Sequence, residues 1–315
     1  MPGQWREGAA VSHGKENPAT VRARNAKPER SRLRSAQGHM ITRNTRDHTN
    51  AMAARTREEK GRQSGIYAQM IEESFNPLII ESDNIFLTGD WHLPFTNEPL
   101  IKRLFTAADE YGTKDLLIGG DFLDCDNYSR FTDLTEANSN IRMTFQNEIE
   151  EGRKELKRVL SHFERVFICR GNHEKRWIDL NAGMMGMPQL FALIKPHNIS
   201  DENYERRVRI TSDDHINLIH KGQLWLCCHP RNFRITPLSV VRDLAANHLC
   251  NVAGFHGHAF NQGRDRSGQF RVVDGGGMFD KKALAYARST SCHPAMRSGF
   301  YLLKDGDLIP FEGEA

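Results

Sequence analysis

The sequence has no long apolar run, and this absence argues against a membrane-spanning helix. No stretch reaches the roughly 20 consecutive apolar residues that cross a bilayer. The N-terminus is polar and basic and has no apolar signal-peptide core. The chain of 315 residues is 38% hydrophobic and 26% charged, as is ordinary for a soluble globular protein. We therefore expect a soluble protein with no membrane partner.

The cysteines lack any CxxC spacing, which argues against a thiol-based metal or redox motif. A framework of disulfides is uncommon in so long a chain. The six cysteines therefore predict reduced thiols and a cytoplasmic location. Cys227 and Cys228 are adjacent in an apolar run, and we interpret them as buried packing residues and not as ligands.

The net charge of +3 is unevenly distributed along the chain. Residues 1–75 contain 14 Lys or Arg against 8 Asp or Glu, whereas the rest of the chain contains 29 against 32. Residues 1–50 have few clustered apolar side chains and cannot bury enough surface to offset the entropy of ordering. Helix formers dominate residues 50–73. We predict a basic arm at residues 1–75, mostly disordered or partly helical, and one domain at residues 76–315.

From residue 84 onward, short apolar runs alternate with longer amphipathic stretches, a pattern typical of α/β domains. The early runs are separated by helix-like stretches, whereas the later runs follow Gly-rich turns. This order predicts a mixed sheet system with helices outside. The predicted strands lie at residues 85–88, 116–119, 166–169, 224–228, 252–255, 270–273, 299–303 and 308–310, and the predicted helices at residues 98–111, 142–163 and 237–249.

A polar cluster follows each of the first five predicted strands. In open α/β sheets, ligands gather beyond the carboxyl ends of the strands, so we expect the five clusters to converge on one rim. They offer oxygen and nitrogen donors without a thiolate, a set that suits Mn, Fe, Zn or Ni. The clusters are GDWH at 89–92, GDFLD at 120–124, GNHE at 171–174, His229, and HGH at 256–258.

Asp121 is the candidate for a carboxylate that bridges two cations. A pair of cations clamps the attacking and the leaving oxygen of a phosphoryl displacement, so the clusters predict a phosphate-ester substrate. The glycines before Asp90, Asp121 and Asn172 allow the backbone to turn sharply and to approach a phosphate closely.

The ordered clusters resemble the motifs of the calcineurin-like metallophosphoesterases. The family pattern is DxH, GDxxD, GNH followed by Asp or Glu, a lone His, and GHxH. The clusters at 89–92, 120–124 and 171–174 and His229 match the first four elements, and the resemblance covers about residues 85–311. The longer strings GDFLDCDNYSRF and GNHEKR resemble phage-encoded members, which would place the protein in a host cytoplasm.

The resemblance implies a four-layer α/β/β/α sandwich, in which two mixed sheets lie face to face with helices outside. It implies hydrolysis of a phosphate ester by two divalent cations, with a hydroxide between them as the nucleophile. Asp90, His92 and Asp121 would hold the first cation. Asp121, Asn172 and His229 would hold the second, so that Asp121 bridges the two.

The resemblance also assigns roles to two side chains outside the cation shells. His173 would protonate the leaving oxygen or stabilise the transition state, and Asp124 would orient the ring of His173. Arg130 and Arg176 lie near these motifs and are candidates for binding the phosphate of the substrate. Ordinary solvent-exposed arginines are the alternative.

The last motif departs from the family pattern. If Gly257 and His258 form its GH pair, Phe260 replaces the second His. If His256 and His258 form its HxH pair, both imidazoles are kept and Phe255 replaces the glycine. We favour the second interpretation, because it completes both coordination shells.

Two alternatives to a general phosphoesterase stay open. A nuclease or DNA-end-processing phosphodiesterase would be served by the basic arm, since Lys and Arg side chains bind phosphate backbones without sequence preference. The arm is otherwise a solubilising or dispensable tail. A nucleic-acid-binding protein on a degenerate phosphoesterase scaffold is the second alternative, and the altered last motif favours it. The metal loops do not identify the substrate, because they recur in phosphatases, nucleases and pyrophosphatases.

Overall fold

In the computed structural model, the described residues are 77–125, 144–181, 184–232, 234–284 and 296–313. The chain divides into two units, Met1–Glu73 and Ser74–Ala315, and every described residue belongs to the second unit. The arm predicted at residues 1–75, with its disorder or partial helix, lies outside the described residues. The boundary at residue 75 therefore stays a prediction.

The described residues contain twelve strands and six helices. The strands are β1 (Ile79–Glu81), β2 (Asn84–Thr88), β3 (Asp115–Ile118), β4 (Arg165–Ile168), β5 (Val208–Ile210), β6 (His215–His220), β7 (Gln223–Cys228), β8 (Asn251–Gly254), β9 (Asn261–Arg264), β10 (Arg271–Asp274), β11 (Gly299–Lys304) and β12 (Asp307–Glu312). The helices are α1 (Glu98–Tyr111), α2 (Phe145–His162), α3 (Asn172–Leu180), α4 (Met187–Leu193), α5 (Asp201–Arg207) and α6 (Ser239–His248).

The strands form two six-stranded mixed sheets. The first sheet has the order β12-β11-β2-β3-β4-β5, in which β2 to β5 are parallel and β11 and β12 are antiparallel to their neighbours. The second sheet has the order β1-β6-β7-β8-β10-β9, in which β7, β8 and β10 are parallel. β2 and β3 are covered on both faces, which explains why they read as continuous apolar runs in the sequence.

A core of apolar side chains lies between the two sheets. Leu87 and Leu117 of the first sheet share one buried cluster with Trp225 and Val273 of the second. The opposite face of the first sheet packs on α1 and α2 in another cluster, and α6 covers β8 and β10 through side chains such as Val241. The predicted four-layer α/β/β/α sandwich is confirmed.

The helices on the first sheet begin at side-chain caps. Asn97 accepts a backbone N–H of the first turn of α1 at 3.1 Å, and Thr144 does the same for α2 at 3.3 Å. α1 ends at Tyr111 and is capped by Gly112, whose φ of 62° is a conformation that glycine adopts without strain. The helix predicted at 98–111 is therefore confirmed, and α2 matches the helix predicted at 142–163, of which residues 142 and 143 lie outside the described residues.

The eight predicted strands agree with the structure to within two residues at each end. The third predicted helix, 237–249, is α6 and is slightly shorter. β1, β5, β6 and β9 and helices α3 to α5 are additional to the prediction. Most of these elements are too short to carry a clear periodicity, and α3 begins inside the GNHE motif. Among the described residues, no helix combines the length and the apolar character needed to cross a membrane.

Candidate metal centre

The strand ends bring the five polar loops together. β2, β3 and β4 are adjacent and parallel, so the first three loops leave the first sheet side by side. The backbone N–H of Asp90 donates to the carbonyl of Gly120 at 3.0 Å, which joins the first loop to the second. β7 and β8 are adjacent and parallel in the second sheet and deliver His229 and the HGH loop. The predicted convergence therefore occurs.

Asp121 lies at the centre of these loops and is fully buried. Its Oδ1 accepts the backbone N–H of His173 at 2.8 Å. Its Oδ2 lies 3.2 Å from Nε2 of His229, 3.8 Å from Nε2 of His173 and 3.9 Å from Nε2 of His92. One buried carboxylate oxygen is thus surrounded by imidazole nitrogens from three different loops.

The donor atoms fall into three overlapping sets. Within each set, the candidate ligand atoms all lie within 4.8 Å of one another. The first set shares Asp90 and His92 with the first predicted cation site, and the third shares Asp121 and His229 with the second. The second set offers His173 as a further candidate ligand. Asn172 joins the third set, because its Oδ1 lies 2.8 Å from Nε2 of His229. The sets are Asp90, His92 and His258; His92, Asp121 and His173; and Asp121, His229 and His256.

The HGH loop places both of its imidazoles in the centre. Nε2 of His258 lies 3.0 Å from Oδ1 of Asp90, and the backbone N–H of His256 donates to the other oxygen of the same carboxylate at 2.9 Å. Phe260 instead stacks on Tyr301 in the core, with 4.7 Å between ring centroids. His256 and His258 thus both lie in the centre and Phe260 does not, as the interpretation of these two histidines as the HxH pair expects.

Phe255 explains why glycines stand at the strand ends. A Cβ on Gly89, Gly119 or Gly275 would come within 2.4 Å of the Phe255 ring, so the ring occupies the space that side chains would need. A Cβ on Gly171 would lie 2.0 Å from Oδ1 of Asp121. We predicted that Gly89 and Gly171 allow close approach of a phosphate. The structure gives a different reason for them, which is the packing of the loops on one another and on Phe255.

Most of the candidate ligands have left-handed backbone conformations. Non-glycine residues adopt this region rarely, at a cost on the order of 1–3 kcal/mol each, and such residues cluster at functional sites. The strain is therefore concentrated where the donor atoms converge. The φ values are 51° for Asp90, 49° for His92, 49° for Asp121, 77° for His256 and 51° for His258.

Asp124 contacts two imidazoles and not one. Nδ1–H of His92 donates to Oδ1 of Asp124 at 2.8 Å, and Nδ1 of His173 lies 2.5 Å from the carbonyl oxygen and 3.2 Å from Oδ1 of the same residue. Donation through Nδ1 directs Nε2 toward Asp121 in both rings. Burial opposes ionisation of Asp124, but the hydrogen bonds from His173 and His92 hold its pKa well below the usual range.

The imidazoles of the centre have divergent pKa values. Burial disfavours protonation of His229 and His173, but Asp121 outweighs it and raises the pKa of His229 to about 10 and that of His173 to about 9. Burial and the neighbouring His229 lower the pKa of His256 to about 4. The metal-free centre therefore balances its buried carboxylates with protons, which bound cations would displace.

The residues present fit divalent cations of intermediate hardness. The donors are carboxylate oxygens, imidazole nitrogens and the amide oxygen of Asn172, the set expected for Mn, Fe, Zn or Ni. Cys125 lies next to Asp124, but burial raises the pKa of its thiol well above the usual value, so it stays protonated.

Glu174 holds the second loop in place. Its carboxylate accepts the backbone N–H groups of Gly171, Asp121 and Leu123 at 3.0 to 3.1 Å. Burial and the neighbouring Asp121 raise its pKa to about 7. Glu174 is thus a loop-fixing residue in this structure and belongs to none of the three donor sets.

Asp274 is a supporting residue that the sequence analysis missed. It ends β10, and its Oδ1 accepts the N–H groups of Ala259 and Gly276 at 3.1 and 3.3 Å, which joins the HGH loop to the following turn. Burial raises the pKa of Asp274 to about 6. An acid followed by three glycines at a strand end was the available signal.

Arg176 lies against His173, whereas Arg130 lies outside the described residues. Nη1 of Arg176 is 3.1 Å from Nδ1 of His173, and Nη2 is 3.0 Å from Nε2. The arginine predicted to bind phosphate is therefore beside the predicted proton donor.

Comparison with protein families identifies the chain. The model of the family described as calcineurin-like phosphoesterase matches residues 84–269, more than half of the sequence. The chain belongs to the calcineurin-like phosphoesterases. The matched region of this phosphoesterase contains all the candidate ligands, and membership makes hydrolysis of phosphate esters the general class of reaction. A comparison with curated protein sequences found no match.

Several solved structures are similar to this calcineurin-like phosphoesterase. Vacuolar Protein Sorting 29 from Cryptosporidium parvum is 11% identical, with 74% of this chain and 97% of that chain covered and a TM-score of 0.38. Yfce, a phosphoesterase from E. coli, is 14% identical, with 73% and 98% covered and a TM-score of 0.34. Wild-type Vps29 complexed with zinc from Entamoeba histolytica is 11% identical, with 73% and 98% covered and a TM-score of 0.34.

Proposed function

We propose that this calcineurin-like phosphoesterase hydrolyses a phosphate ester with two divalent cations. The observation that carries the proposal is the position of Asp121, whose buried Oδ2 faces imidazole nitrogens from three loops at 3.2 to 3.9 Å. A carboxylate in this position suits a bridge between two sites. Cations bound there would stabilise charge developing on the phosphoryl oxygens and lower the pKa of a water molecule.

The chain's own residues divide between the two sites. Asp90, His92 and His258 would hold one cation, in agreement with the first donor set. Asn172, His229 and His256 would hold the other, and Asp121 would belong to both. The preferred cations are Mn, Fe, Zn or Ni, since imidazole-rich sites bind these more tightly than Mg.

His173 is assigned the proton transfer to the leaving oxygen. Its Nδ1 is held by Asp124 at 2.5 and 3.2 Å, which orients the ring and leaves Nε2 to face the reacting group. Asp124 also holds His92 at 2.8 Å, so one buried carboxylate orients both a candidate ligand and the candidate acid. A proton held at Nε2 of His173 would pass to the oxygen of the departing alcohol.

One panel of substrates tests the proposal. Purified full-length protein is stripped of metal, reloaded with Mn²⁺, and offered p-nitrophenyl phosphate, bis-p-nitrophenyl phosphate, and single- and double-stranded DNA. We expect metal-dependent hydrolysis of at least one small ester, with Mn²⁺, Ni²⁺ or Fe²⁺ restoring activity better than Mg²⁺. Equal activity in excess chelator contradicts the proposal, and activity confined to DNA identifies a nuclease.

A further inference from the structure

Helix α3 places Arg176 next to His173, the candidate proton donor. The helix begins at Asn172, so His173 and Arg176 are three residues apart and lie on the same face. The guanidinium has Nη1 at 3.1 Å from Nδ1 and Nη2 at 3.0 Å from Nε2 of His173, and the side chain is partly buried. Its position is therefore at the reacting edge of the centre and not in bulk solvent.

The hydrogen-bonding capacity of this guanidinium is poorly used by His173. A guanidinium has five N–H donors and no acceptor, whereas a neutral imidazole offers one lone pair. Nδ1 of His173 donates to the carbonyl of Asp124 at 2.5 Å, and Nε2 carries the proton in the proposed reaction, so neither ring nitrogen accepts a hydrogen bond from Arg176. Across residues 77–125, 144–181, 184–232, 234–284 and 296–313, no carboxylate forms an ion pair with Arg176.

Two other positively charged side chains near the candidate metal centre form ion pairs with carboxylates. Lys175, the neighbour of Arg176 on the same helix, pairs with Asp179 at 2.6 Å. Arg234, which follows β7, pairs with Asp243 at 2.7 Å. Because a carboxylate already balances the charge of each of these side chains, an anionic ligand would interact with them more weakly than with Arg176.

We propose that Arg176 binds a non-bridging oxygen of the substrate's phosphate group, and that its contact with His173 is the position it takes when no substrate is present. The inference rests on the proposed phosphoesterase function. A planar guanidinium matches the spacing of two phosphate oxygens and forms short, charge-assisted hydrogen bonds with them.

Binding of inorganic phosphate to the Mn²⁺-loaded full-length protein tests this assignment without requiring turnover. Calorimetry is performed on the wild type, on Arg176→Gln and Arg176→Lys, and on Lys175→Gln as the matched control on the same helix. We expect Arg176→Gln to weaken phosphate binding by about 10-fold or more, since a charge-assisted bond is lost. Arg176→Lys should lie between the two, because it keeps the charge but loses the planar fork. Lys175→Gln should bind as the wild type does, and all variants should hold equal metal.

The outcomes separate this inference from the proposed function. Unchanged phosphate affinity in Arg176→Gln overturns the inference, and a lower kcat beside it, on an ester with a poor leaving group, would mean that Arg176 positions His173 instead. A wild-type protein that holds Mn²⁺ but binds no phosphate overturns it as well. A wild-type protein that binds phosphate through Arg176 but hydrolyses no ester supports the inference and contradicts the proposed catalysis.

Discussion

Oδ2 of Asp121 lies 3.2 Å from Nε2 of His229, although the two residues follow strands of different sheets. Asp121 follows β3 in the first sheet, and His229 follows β7 in the second. The candidate metal centre therefore spans the two sheets, and their packing sets the distances between its ligands. Cations bound there would hold both sheets, so we expect metal binding to stabilise the fold as well as to support catalysis.

Asp121→Asn tests the bridging role. We expect this variant to lose both cations together and to lose activity, because an amide oxygen carries no negative charge to share between two cations. Metal content by mass spectrometry and the Mn²⁺-dependent rise in Tm are the measurements. Asp307→Asn, at an exposed position at the start of β12, is the control and should retain the full rise. Loss of one cation alone would show that Asp121 is a ligand but not a bridge.

His173→Asn separates proton transfer from metal binding. We expect near-normal metal content and a turnover reduced by roughly 10²–10⁴-fold, the usual contribution of general acid catalysis. The reduction should shrink for esters with a good leaving group such as p-nitrophenolate, since these need less protonation. His173 belongs to the second donor set, so a role as a metal ligand is the alternative to proton transfer. Metal loss in His173→Asn would make His173 a ligand and would contradict the assignment.

Gly119→Ala tests the packing of Phe255 under the loops. A Cβ at Gly119 would lie 1.9 Å from the Phe255 ring, so the variant is overpacked and should lose about 1–3 kcal/mol of unfolding free energy. Phe255→Ala should relieve this clash, and the double variant should be more stable than the sum of the single losses predicts. Chemical denaturation of metal-free protein measures both effects. Gly186→Ala is the control, since its nearest atom would be at 3.4 Å. Strictly additive losses would contradict the direct contact.

Glu148→Gln tests a buried carboxyl group near the second loop. Glu148 accepts the backbone N–H of Cys125 at 2.5 Å, and burial raises its pKa from 4.5 to about 8. Below pH 4.5 the group is protonated in both states. Between pH 4.5 and 8 the unfolded chain ionises while the folded protein does not, so Glu148 destabilises the fold increasingly as pH rises.

The amide variant removes that pH-dependent loss. We expect the stability gain of Glu148→Gln over the wild type to be larger at pH 8 than at pH 5 by more than about 1 kcal/mol. Denaturation of metal-free protein at both pH values measures the difference. Glu150→Gln, at an exposed position on the same helix, should show no such change. A gain that is equal at both pH values would indicate that burial does not raise the pKa of Glu148.

Removal of residues 1–75 tests the basic arm. If the arm recruits nucleic acid, the truncated protein should bind DNA more weakly and with a flatter salt dependence over roughly 50–200 mM, because fewer counterions are released. Hydrolysis of a small chromogenic ester should survive, since every candidate ligand lies at or beyond Asp90. Unchanged DNA affinity would contradict the tether. Loss of small-ester activity would mean that the domain boundary is wrong.

The sequence predicts the chemistry of the centre because the family motifs are contiguous. Asp90, His92, Asp121 and His229 could each be found beside an apolar run, since parallel strands carry their ligands at the carboxyl end. The three long helices and eight of the twelve strands in the described part of the chain were predicted because a regular pattern of apolar residues records which faces are buried. β5, with three residues, and β9, with the sequence NQGR, carry no clear apolar pattern and were not predicted.

The sequence alone therefore determined the donor set and the order of the loops, whereas the tertiary structure decided how the donors group. His256 and His258 are two residues apart, yet they join different donor sets, one with Asp121 and the other with Asp90. Asp124 serves both His92 and His173, and Phe255 fills the space beneath the glycines. Such groupings depend on distances between loops that are far apart in the chain. Those distances arise from the packing of one sheet on the other, and no local motif records that packing.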